Sequence, residues 1–192
     1  MMDRPSEPER TKVSAEELGQ LMGAALPRPA LELIKELEPF LAREQGYNPI
    51  IWRLARKMVG PTKVMVKLGI ECLLFEWFLN DVVVAALFGP RADGIRQGMG
   101  DRILTNLYQS GLVSGDVSLD AFEDMRVKRF TEYLRALAGD KGTEHNWQAL
   151  ARVAWERMGG QPSLMAHVHL AGHASGMFNI YAEACSLYEI TA

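Results

Sequence analysis

Cysteine is scarce in this chain, and the little there is excludes two chemistries. Only Cys72 and Cys185 occur in 192 residues. Both fall inside apolar helical patterns, and neither belongs to a CxxC pair. A disulfide scaffold and a dithiol redox motif are thereby excluded. Two free thiols packed in a core are expected, which fits a reducing, cytoplasmic compartment. Charge of one sign is also lacking. The net charge is −3, too small to draw the chain toward nucleic acid or an anionic membrane. The first 13 residues have no apolar core of a secretory signal.

Long apolar runs free of charge are missing too. Only residues 62–88 are long enough to span a bilayer, and they hold Lys67, Glu71, Glu76 and Asp81. Each charge costs about 2.5–3.5 kcal/mol near a membrane centre, against about 0.3–0.6 returned per apolar residue. No membrane span is expected. Period-two alternation with hairpin turn chemistry is absent, as is any fixed repeat. There is no HExxH, GxGxxG, Walker or nucleophile-elbow pattern, no Glu-x-x-His pair of a di-iron bundle, and no resemblance that names a family.

What is present is helical. With 48% hydrophobic and 23% charged residues there is ample material for one core. The expected fold is all-α, a single-domain bundle of six to eight helices (residues 14–192) behind a disordered arm, 1–13, that bears Pro5 and Pro8. Ser14-Ala-Glu-Glu17 has capping-box spacing and opens a helix to about Ala25. Leu31, Leu33, Ile34, Leu37 and Leu41 define the next from Ala30, with a kink or break near Glu38 because Pro39 follows. Asn48-Pro49 opens a third, ending at Gly60-Pro61. The central helix, about 62–88, has apolar residues on most sides and is expected to be the buried middle member. Its polar edges are Lys67, Glu71 and Asp81 on one side, Glu76 and Asn80 on the other.

Glycine-rich 89–100 reads as a connection, followed by a helix from Asp101 to Ser110 that ends at Gly111. Further helices are expected at 119–138 (capped by Ser118 or Asp120, with Phe122, Met125, Phe130, Tyr133, Leu134 and Leu137 inward), from Thr143 to Gly159, and from Ser163 to about Glu189. In the connection, Arg91 and Arg96, with Arg102 beyond, are the kind of residues that hold a phosphate. An ordinary inter-helix link is the plainer expectation. Arg126, Lys128, Arg129 and Arg135 interleave with Asp120, Glu123, Asp124 and Glu132, as a solvated face would.

Glu76 is the leading candidate for chemistry. A carboxylate among apolar neighbours either raises its pKa, as a general acid or metal ligand needs, or finds an arginine or tyrosine on another helix. His169 and His173 share one helix face at the i, i+4 spacing that two metal-binding imidazoles require, while His167 points away. A third ligand has to come from elsewhere, and Glu76 is the guess. On the same helix His169, Gly172, Gly176, Asn179 and Glu183 fall on one strip, with Ser175 and Ser186 at its side. Two glycines inside a helix cost about 1 kcal/mol each against alanine. Close approach of another helix, within the domain or across a subunit interface, is the usual compensation; a small ligand lying against the bare backbone is the other.

With no catalytic constellation assembled in the sequence, the leading expectation is a binding or interaction module acting through self-association or a protein partner. The alternative is a cofactor- or metal-binding helical enzyme using Glu76 with His169 and His173. A second alternative is a site for an apolar small ligand, lined by residues such as Phe75, Phe78, Met125, Phe130 and Trp155.

Overall fold

The structure, a computed structural model, describes residues 10–46, 48–49, 63–109, 119–139 and 146–191. The expected helix after Asn48-Pro49, the ends and caps at Ser110, Gly111, Ser118 and Thr143, and His145 lie outside the described residues or depend on them. Among the described residues the fold is all-α: α1 (Ala15–Ala25), α2 (Pro27–Glu44), α3 (Lys63–Phe88), a 3-10 turn (Gly89–Arg91), α4 (Ala92–Gln109), α5 (Leu119–Ala138), α6 (Asn146–Met158) and α7 (Leu164–Ser186). By length and composition one stretch among the described residues, Met65–Gln109, qualifies as bilayer-spanning, and 56% of its most apolar window is buried inside the fold.

Local signals explain three of the helix starts, those of α1, α2 and α7. The Ser14 hydroxyl accepts from the Glu17 amide at 3.1 Å, and the Ser14 amide donates to the Glu17 carboxylate at 2.8 Å. Together they satisfy two of the donors that a helix start leaves open. The Glu17 carboxyl is held below its usual value by the Ser14 backbone and side-chain hydrogen bonds. Ser163 caps α7 through the Ala166 amide. α2 begins earlier than expected, because Pro27 and Pro29 sit in its first turn, where a missing N–H leaves no bond unmade. It also runs through Pro39 without ending.

α3 is the hub. Seven residues in succession, Leu74 to Asn80, are buried, and α2, α4, α5, α6 and α7 all pack on it. Its surroundings are aromatic: Phe75 meets Tyr133 edge-on at 5.7 Å, Phe78 meets Phe130 at 5.6 Å, and the Arg126 guanidinium lies 5.0 Å over Trp77. These rings fill the space between helices, so Phe75, Phe78, Phe130 and Trp155 form core and not the lining of a void.

Three polar assignments change with the tertiary fold. Glu71 is 2% exposed and takes a bidentate pair from Arg129 of α5, at 2.8 Å to each carboxylate oxygen. Glu132 and Arg157 extend that network. Neither Glu71 nor Arg129 therefore lies on a solvated edge; the partner on another helix makes burial affordable for both. Leu134, expected in the core, is 51% exposed. Asp81 pairs with Arg96 at 2.6 and 3.1 Å, and Arg91 donates to the Ile190 carbonyl, so two of the three arginines considered for a phosphate already have protein acceptors.

Two expectations about the chain outside the bundle are corrected. Thr11–Val13 pairs in parallel with Tyr188–Ile190, joining β1 and β2 in a two-stranded ribbon in register Thr11↔Tyr188. The end of the N-terminal arm is ordered by that pairing, and α7 stops at Ser186. The 89–100 segment is not a long connection either. After a three-residue turn it becomes α4, and its glycines serve packing. A Cβ on Gly98 would run into the Glu16 carbonyl, and one on Gly19 into the Ile95 carbonyl. α1 and α4 thus touch backbone to backbone, and this contact offsets the helix propensity that glycine forfeits.

Candidate functional site

Glu76 sits at the centre of the buried polar groups and is 0% exposed. Its Oε1 contacts His173 Nε2, and its Oε2 accepts from the Tyr181 hydroxyl at 2.5 Å. His173 and Tyr181 lie eight residues apart on α7, about 80° around the helix, so both reach α3 from one face. One turn beyond Glu76, the Asn80 side chain donates to the Glu76 carbonyl at 3.3 Å.

On its other side, His173 Nδ1 lies 3.7 Å from Glu36 Oε2, and that oxygen is 3.0 Å from His169 Nε2. The result is a chain of groups that crosses α2, α3 and α7. Side-chain exposure falls along it, from 45% at Glu36 and 37% at His169 to 11% at His173 and 0% at Glu76. Tyr181 continues it on the far side. Burial first, then the neighbouring Glu76, holds the Tyr181 phenol far above its usual pKa, so it stays a proton donor.

The sequence-predicted residues are therefore partly united. Glu76 and His173 touch; His169 joins them only through Glu36. The two imidazoles do not converge on one point with Glu76, and among the described residues no three His, Cys, Asp or Glu side chains group as metal ligands would. Glu36 and Tyr181 were not singled out from sequence. Tyr181 had a usable signal, since it shares the inward face of α7 with His173. Glu36 had none, being one of several charges between the apolar positions of α2.

Beside the polar chain lies a cleft of about 140 Å³. Its apolar wall includes Leu18, Met22 and Leu26, and Asn80, Tyr181 and Cys185 complete it. Burial pushes the Cys185 thiol up to about 11.

The opposite face of α7 differs. A Cβ on Gly172 or Gly176 would meet nothing within 4 Å among the described residues. Asn179 beside them is exposed. Large apolar side chains flank the glycines in the open, with Leu164 76%, Met165 71%, Val168 53% and Ile180 55% exposed. Among the described residues, packing within the domain does not account for this strip.

No protein-family model, no curated protein and no solved structure matches this chain.

Proposed function

We propose that this chain is an interaction module whose working surface is the outward face of α7, and that a second copy of the chain occupies it. The observation that carries the reading is the open glycine pair with exposed apolar residues at equal distances on either side. Val168 precedes Gly172 by four residues, and Ile180 follows Gly176 by four. A two-fold axis between the glycines would set Gly172 against Gly176 of the second copy, and Val168 against its Ile180. Self-complementarity of this kind is what an isologous interface requires. Small-xxx-small spacing admits close helix crossings, and exposed apolar residues on both sides supply area to bury.

α7 contains no lysine or arginine; its one carboxylate, Glu183, and Asn179 are exposed on the same face as the glycines. Four large apolar side chains exposed on one helix are area that association can bury. The two free, buried cysteines support a cytoplasmic setting for the assembly. The test is the oligomeric state of the full chain by sedimentation velocity across micromolar concentrations, wild type beside Gly176→Leu. A concentration-dependent dimer that the substitution abolishes, with the helical melt retained, supports the reading.

The contact between Glu76 and His173 favours a second reading, an acid–base enzyme built on that pair. Such an activity would be lost in His173→Ala while the helical melt is retained.

A further inference from the structure

The cleft between α1, α3 and α7 is independent of the outward face of α7, and its walls are chemically uneven. None of its lining residues carries a charge. The carboxylate closest in the hydrogen-bonded chain is Glu76, directly behind Tyr181. An anionic ligand would meet no cation here and would approach a carboxylate, and a cation would give up its hydration to a mostly apolar wall, so the wall suits a neutral occupant. Most of the wall is aliphatic or sulfur-bearing, with Leu18, Met22, Leu26 and Cys185 in it. The volume of about 140 Å³ is close to that of engineered protein cavities, about 150 Å³, that take up benzene.

Two polar groups stand in this wall. Asn80 is 2% exposed, and its side-chain amide donates to the Glu76 carbonyl. The Tyr181 hydroxyl donates its hydrogen bond to Glu76. With that O–H committed to a protein partner, the side-chain oxygens of Tyr181 and Asn80 are acceptors the wall can offer a guest. We propose that the cleft binds a small, neutral, largely apolar molecule bearing one hydroxyl, an aryl or short alkyl alcohol, whose hydroxyl donates to the Tyr181–Asn80 wall. The buried polar chain from Glu36 to Tyr181 then has a role that folding alone does not demand. It fixes the phenol of Tyr181, whose hydroxyl donates to Glu76 and whose oxygen keeps acceptor capacity. A site built to receive a hydroxyl discriminates against the analogue that lacks it, because its polar groups would be left unpaired.

The probes are phenol and toluene, titrated separately into the isotope-labelled full-length protein and followed by amide chemical shifts. Phenol is expected to shift the amides around Asn80, Tyr181 and Cys185 and to bind about five-fold more tightly than toluene. Tyr181→Phe is expected to erase that preference while toluene binding stays. Ala25→Trp, which fills the cleft from an exposed position of α1, is expected to abolish binding of both probes with the helical melt unchanged. The proposal is overturned if neither probe shifts these amides, if toluene binds the wild type as well as phenol, or if Ala25→Trp binds like wild type. Should Tyr181→Phe fail to fold, the wild-type preference and the Ala25→Trp titration decide the matter.

Discussion

In α1, Gly19 and Gly23 stand four residues apart, as Gly172 and Gly176 do in α7, and the two pairs meet opposite surroundings. A Cβ on Gly23 would lie 2.8 Å from the Met99 carbonyl oxygen, whereas one on Gly172 or Gly176 would meet nothing within 4 Å among the described residues. The first pair is a filled seam: α4 lies against it and contributes Gly98 of its own. The second has the same bare backbone with apolar flanks exposed. The filled seam shows what this spacing admits in this protein, a helix that brings a glycine to the contact. For α7 a second copy of α7 would meet that requirement without any other partner. The difference also shows that the spacing alone says nothing of whether a seam is filled; the neighbouring helix decides.

The comparison needs α7 to be anchored through its inner face, leaving the outer one free. Glu76→Ala tests that anchor and should have the largest effect, a loss of about 3–5 kcal/mol in chemical denaturation, with Glu76→Gln costing less. A Glu76→Ala protein that melts with wild type would remove the anchor from the account. Next in size is Gly98→Ala in the filled seam. The Cβ has no room there, so overpacking should cost about 1–3 kcal/mol, and an unchanged denaturation midpoint would mean that α1 and α4 do not touch as described. Gly172→Ala and Gly176→Ala should reverse the sign. At concentrations dilute enough to hold the chain monomeric, each should stabilise by about 0.5–1 kcal/mol, the gain of alanine over glycine in an open helix. Destabilisation by either would show that the outer face of α7 is covered within its own chain.

Much of the fold was legible because its signals are local. The capping box at Ser14, the cap at Ser163 and the all-round apolar character of α3 each sit within a few residues of one another. Glu76 was legible for the same reason, as a carboxylate whose helical neighbours are apolar, and His169 and His173 by their spacing. What could not be read depends on distant partners. Three-residue strands at Thr11 and Tyr188 exist only because the two chain ends meet. The glycines of α4 look like a linker until α1 is laid against them. Glu71 and Arg129 look solvated until they face each other, and Glu36 resembles every other charge on α2 until His169 and His173 reach it.

The central claim is that the open glycine face of α7 receives a second copy of this chain. Sedimentation velocity on wild type and Gly176→Leu, each from low to high micromolar, tests it most directly. The account predicts a reversible dimer for the wild type, and for Gly176→Leu a monomer whose thermal melt is as cooperative as that of the wild type. A wild-type chain that stays monomeric at high micromolar concentration would contradict it, and so would a dimer that survives the substitution unchanged.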